Sequence, residues 1–147
     1  MENILKHAHS GLRWVVLALL LFAVVNALLR WRSGKTFRSV DYRLNLFNMI
    51  AAHLQLLLGL LLYLFLSPKV DFGAFDMSNA LSRFYVVEHP LVMVLGIVLI
   101  TVGHVRAKAA AQDSKKFQYT FWYFLVALLL ILSRIPWPFQ PYGANWI

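Results

Sequence analysis

The sequence predicts an all-α integral membrane protein, a four-helix bundle with both termini on the non-cytoplasmic side. Three observations carry that expectation. Of the 147 residues, 61% are hydrophobic and only 14% are charged, whereas a soluble domain carries about 25% charged residues. The apolar residues gather into four runs, each near the ~20 residues that cross ~30 Å of hydrocarbon. The 14 Lys and Arg residues sit in the gaps and at the edges of those runs, where membrane proteins keep them.

The first span is expected from Leu12 to Leu29. Its helical periodicity places His9, Arg13, Val16, Leu20, Ala23 and Ala27 on one face. The second runs from Leu44 to Leu66, with Asn45, Asn48, Ala52, Gln55, Gly59 and Tyr63 in a stripe. Amides and small residues in such a stripe suit an interhelical seam or polar contacts to a quinone headgroup. A short polar link from Ser67 to about Met77 follows, with Asp76 or Ser78 expected to cap the next helix. The third span, Phe84 to Val105, aligns His89, Met93, Gly96, Ile100 and Gly103. The two glycines admit a bulky group or another helix, and Pro90 predicts a local distortion. The fourth runs from Tyr119 to Ile135, where Pro136 and Pro138 stop it. Trp137, Phe139 and Trp146 then suit the headgroup layer.

Orientation follows from charge. Nine cations (Arg30, Arg32, Lys35, Arg38, Arg43, Arg106, Lys108, Lys115, Lys116) share one side, and five (Lys6, Arg13, Lys69, Arg83, Arg134) share the other. The richer side is expected to be cytoplasmic. Residues 1–147 read as one domain without repeats, and no cleavable signal peptide is expected before the first run. The net charge of +8 does not point to nucleic acid, because the cations flank apolar runs. The absence of cysteine removes disulfides, zinc–thiolate sites, Cys nucleophiles and covalent haem attachment. There is no Gly-rich phosphate loop, H-E-x-x-H, acidic metal cluster or Ser/His/Asp arrangement.

Five histidines in so apolar a chain are the informative feature: His7, His9, His53, His89 and His104. Ionisable groups in spans are costly and mark function, and imidazole is an axial ligand of haem iron. Counted from the cytoplasmic cation that ends each span, His89 lies ~25 Å deep, His9 ~31 Å and His53 ~15 Å. His9 and His89 therefore form the expected ligand pair, and His53 is the substitute or a hydrogen-bonded packing residue. His7 points elsewhere on its helix. His104 is expected to complement a helix C-terminus at the interface. Arg13, Arg83 and Arg134 lie near the same surface as the pair, and their guanidinium forks suit haem propionates. Against this, the arginines are also expected to snorkel to lipid phosphate, or one of them to pair with Glu88.

Four stretches together carry a resemblance. They are Leu5 to Trp14 (LKHAHSGLRW), Ala52 to Gly59 (AHLQLLLG), Arg83 to His89 (RFYVVEH) and Ile135 to Phe139 (IPWPF). The chain resembles a family of short bacterial four-helix membrane proteins labelled "cytochrome B", over nearly its whole length. The resemblance implies haem b bound by histidines in a bacterial inner (cytoplasmic) respiratory membrane. His9, His53 and His89 lie in the matching stretches and become the first ligand candidates. The chain lacks the two stacked His pairs of larger b-type cytochromes. The expectation is thus a single-haem electron-transfer protein, with quinol as reductant, rather than a stand-alone enzyme. The alternative is a cofactor-free accessory subunit packed against a larger respiratory membrane complex. A small metal or solute permease would need a polar path, at which only the Asn45 to Gln55 stripe hints.

Overall fold

The computed structural model describes residues 2–144, with the backbone alone for Glu2. Trp146 lies outside the described residues, so its expected interfacial place is not addressed.

Helix α1 (Glu2–Arg32) begins well before the first apolar run, so His7, His9 and Arg13 are helical. It ends where Gly34 turns to a φ of 60°. There the amide of Lys35 donates to the Arg30 carbonyl at 3.0 Å and that of Gly34 to the Trp31 carbonyl at 3.2 Å. A left-handed residue lets the chain double back on the last free carbonyls, and glycine takes that conformation without steric cost.

Helix α2 (Ser39–Leu61) is started by Asp41, a buried acid that the sequence reading did not single out. Its carboxylate accepts the Arg38 amide at 2.9 Å and the Asn26 side-chain amide at 3.0 Å. It also lies 3.3 Å from the Arg30 guanidinium. One carboxylate thereby satisfies a helix N-terminus and clamps α1 to α2. The helix continues as a π-helical turn, Leu62–Leu66.

The link that follows ends at Asn79, whose side-chain oxygen accepts the amides of Leu81 at 3.0 Å and Ser82 at 3.1 Å. Asn79 is therefore the cap, not Asp76 or Ser78. Asp76 instead accepts the Ser78 hydroxyl at 2.7 Å and amide at 2.8 Å, which holds its carboxyl below the usual carboxylate range. Helix α3 (Ala80–Arg83), a π-helical segment (Phe84–Glu88) and α4 (His89–Ala109) form one continuous element. Helix α5 (Asp113–Ser133) returns to the end that holds the N-terminus.

Helix α1 packs against α2 and α5, and α4 packs against the same two. Helices α1 and α4 thus lie on a diagonal of the bundle. The predicted inner face of α1 is inner: Val16, Leu20, Ala23 and Ala27 are buried. The α4 glycines serve a helix contact. A Cβ on Gly96 would lie 3.0 Å from Ile131, and one on Gly103 only 2.6 Å from Tyr123, both on α5. The polar stripe of α2 is a seam. Asn45 donates to the Thr120 hydroxyl at 2.6 Å, and Asn48 to the carbonyls of Leu19 at 3.2 Å and Leu44 at 2.9 Å.

The outside is as apolar as the inside. Phe22, Leu29, Phe47, Leu57, Val98 and Leu129 are each at least half exposed or close to it. Such surfaces need a nonaqueous solvent. Among the described residues, four helical elements are long and apolar enough to cross a membrane: Asn3–Arg32, Ser39–Leu66, Ala80–Ala109 and Asp113–Ser133.

Candidate functional site

Three prolines shape the end of the bundle where both chain ends meet. Pro90 has no amide to give the Val86 carbonyl four residues back, and Pro136 none to give Leu132. Pro138 stands in the same relation to Arg134, just past the end of α5. Each carbonyl finds an aromatic side-chain donor instead. The Tyr63 hydroxyl donates to Val86 at 2.8 Å, the Trp137 indole to Leu132 at 3.0 Å, and His89 Nδ1 to Arg134 at 2.8 Å. Backbone carbonyls away from water must be paired, so these donors are the counterpart of the prolines. The predicted distortion at Pro90 is the π-helical segment immediately before His89.

The bond from His89 fixes its chemistry. A carbonyl only accepts, so Nδ1 carries a proton and donates it; in the neutral imidazole Nε2 then holds the lone pair. This is the tautomer and orienting contact found behind metal-bound histidines. The His89 ring lines a cavity of about 530 Å³ at this end of the bundle. That volume falls within the ~300–1,000 Å³ range of cofactor sites.

His9, from the diagonal helix, lines the same cavity. The two imidazoles and the Arg13 guanidinium are close enough to interact electrostatically. The ring of His9 lies flat against α2 where Gly59 leaves room: a Cβ there would come 3.1 Å from His9 Cε1. Gln55, one turn away, donates to the His9 carbonyl at 2.9 Å, and its amide nitrogen stands 3.4 Å from His9 Nε2. His9 Nδ1 and Gln55 Oε1 are both buried without a hydrogen-bond partner among the described residues.

The cavity grades from polar to apolar. Lys6, His7, Arg13 and Lys69 line it, and so do Ala52, Leu56, Met93, Ile97 and Ile131. Its roof is the segment after α5. Tyr142 stacks on Phe84 with centroids 4.0 Å apart, Trp137 lies 6.2 Å from Trp14, and Gly143 reaches the lining.

The remaining expected residues lie elsewhere. His53 is on the exposed flank of α2, its Nδ1 2.8 Å from the Met49 carbonyl of its own helix, and it does not line the cavity. Arg83 and Arg134 do not line it either. Both are drawn to Glu88, at 2.9 Å and 3.5 Å, and Arg83 also donates to the Met77 carbonyl at 2.8 Å. His104 is buried at the opposite end beside the Tyr42 ring, with centroids 5.3 Å apart. It is packed between helices five residues before the end of α4. Among the described residues, no three or more His, Cys, Asp or Glu side chains gather as a metal cluster. A pair of imidazoles is a different donor set, suited to a group that brings its own equatorial ligands.

Fold and site together describe a multi-pass, four-helix protein with an amphipathic cavity between diagonal helices at one end. No protein-family model, curated protein or solved structure matches the chain.

Proposed function

We propose that the chain is a b-type haem-binding membrane protein for electron transfer in a bacterial respiratory membrane, with His9 and His89 as the residues that would hold the haem. The observation that carries this is the His89 Nδ1–Arg134 carbonyl bond at 2.8 Å. That bond puts a proton on Nδ1, which leaves Nε2 as the coordinating atom of the neutral ring, and His89 lines a cavity that His9 also lines. The lining also fits the group in kind: Ala52, Leu56, Met93, Ile97 and Ile131 suit a macrocycle, and Lys6, Arg13 and Lys69 suit its carboxylates.

When bound, haem supplies a one-electron centre whose potential follows its axial ligands and surroundings. The chain's own residues do the rest. Arg134, through its carbonyl, orients His89. Gln55 and Gly59 set the position of His9. The stacked Tyr142 and the Trp137 cluster exclude water from the roof. On the charge count, the terminal end faces away from the cytoplasm. A haem held there by His9 and His89 would supply one-electron chemistry near that surface, with quinol as the donor, and a single such group would not complete a path across the bilayer.

The test is a visible spectrum of the detergent-purified protein, oxidised and then dithionite-reduced. A Soret band that shifts on reduction, with resolved α and β bands, is the expected result. Colourless protein from cells well supplied with haem would refute the proposal. In that case co-purifying partners would identify an accessory subunit.

A further inference from the structure

The acidic groups of a haem in this cavity need cations; of the three arginines that sequence position favours, Arg13 lines the cavity and the other two are committed elsewhere. Arg83 and Arg134 both face Glu88, and neither lines the cavity. Lys69 does line it. It sits in the link between the second and third spans, not on a helix. Its ammonium is held by a neutral group: it donates to the Tyr85 hydroxyl at 2.9 Å and lies 4.6 Å from the centre of that ring. The Tyr85 hydroxyl passes its own proton to the Tyr142 carbonyl at 2.9 Å. Lys69 is thus tied, within the cavity lining, through a two-bond relay to the segment after α5. An ammonium has three donors, and Tyr85 uses one of them.

We infer that Lys69 is the anchor for a carboxylate of the bound group. It fixes which end of an amphipathic ligand lies beside it while the apolar body lies among Ala52, Met93, Ile97 and Ile131. This rests on the haem proposal above. The pinning by Tyr85 matters because a free lysine has four flexible bonds to order on binding, whereas this one is already placed. Tyr85 is accordingly a positioning residue, acting through Lys69 and Tyr142.

The experiment titrates the haem-free full-length protein, in detergent, with two probes: haem, and haem whose two propionates are methyl esters. Binding is read from the Soret band for wild type, Lys69→Gln and Lys69→Arg. The expected result is that Lys69→Gln weakens haem about tenfold, the size of one charge-assisted hydrogen bond. It should leave the diester's affinity unchanged, and Lys69→Arg should recover most of the loss. A Lys69→Gln variant that weakens both probes equally would overturn the anchor, because the residue would then be acting only on the fold of the link. Equal wild-type affinity for haem and diester would overturn it too. If neither probe binds the wild type, the haem proposal itself fails and this inference falls with it.

Discussion

Replacing Tyr63 by Phe removes one oxygen and strands one carbonyl. The Tyr63 hydroxyl donates to Val86 at 2.8 Å, and Val86 is buried. A typical net hydrogen bond contributes about 1 kcal/mol, while a buried group left unmade costs about 1–3 kcal/mol. Between membrane helices measured values average about 0.6 and reach about 1.7 kcal/mol, because the unfolded chain in lipid also finds partners. Here the local substitute is missing, since the residue four places on is Pro90. The loss should fall at the upper end, at about 1.5 kcal/mol. The assay is unfolding in mixed micelles titrated with a denaturing detergent, followed by tryptophan fluorescence. Pro90→Ala supplies the decisive background, because it returns an amide to the helix. In that background Tyr63→Phe should cost no more than about 0.5 kcal/mol, giving a coupling of about 1 kcal/mol between the two sites. The same cost in both backgrounds would refute the claim that the hydroxyl stands in for the amide that proline lacks.

Gly59→Ala should push the His9 ring, because the new Cβ would meet Cε1 at 3.1 Å. The expected reading is weakened or altered haem binding with little loss of fold, seen as a changed Soret band beside unchanged helical circular dichroism. Gly103→Ala is the contrasting case: its Cβ would lie 2.6 Å from Tyr123 Cβ, so α4 and α5 must part. Overpacking of that kind costs about 1–3 kcal/mol, which unfolding in mixed micelles would register even without haem. Asp41→Ala leaves Asn26 and Arg30 facing each other without their shared acceptor. Breaking a buried pair on one side costs about 3 kcal/mol, and proteolysis should then nick the link between α1 and α2 before any other.

Periodicity was a sound guide to which residues face inward and a poor guide to what they touch. Placing His9 and Arg13 in register with Val16, Leu20, Ala23 and Ala27 needed only the 3.6-residue repeat. The last four are buried, and His9 and Arg13 line the cavity. The depth count also set His53 apart from His9 and His89, and His53 is the one that turns out to the flank. Of the three arginines Arg13 lines the cavity, and the alternative pairing with Glu88 is met by the other two. Glu88 meets Arg83 through the π-helical segment and Arg134 across helices. Asn79 as cap was missed because Asp76 and Ser78 are equally good capping types, and the choice between them depends on where the link runs out. Asp41 carried a usable signal: it is the only acid near the start of an otherwise apolar span, at the third helical position where a carboxylate satisfies free amides. The donors for the proline-orphaned carbonyls carried one too. Each proline names a carbonyl four residues back that needs help, and Tyr, Trp and His are the long donors in the neighbourhood.

His89 has two roles on this structure, and a simple deletion confuses them. It donates to the Arg134 carbonyl through Nδ1, and the residue lines the cavity in which it is proposed to ligate haem. His89→Ala is therefore expected to abolish haem binding, and haem retained by that variant would rule out the ligand assignment. Loss alone, however, would also follow if the unpaired Arg134 carbonyl loosened the end of α5 and opened the cavity. The two causes separate on adding free imidazole to the variant. If the fold of the cavity survives, imidazole can occupy the space left by the side chain, ligate haem and return the Soret band. If the end of α5 has come apart, imidazole will not restore it. His9→Ala makes the complementary case, because no backbone carbonyl depends on its ring: alanine keeps the 2.9 Å bond from Gln55 to the His9 carbonyl and loses only the 3.4 Å contact between Gln55 and the ring. Rescue of His9→Ala by imidazole, beside weaker rescue of His89→Ala, is the pattern expected if one histidine only ligates while the other ligates and also caps. Equal rescue of both would mean that the Arg134 carbonyl is satisfied some other way, and that the His89 bond orients the ring without supporting the helix.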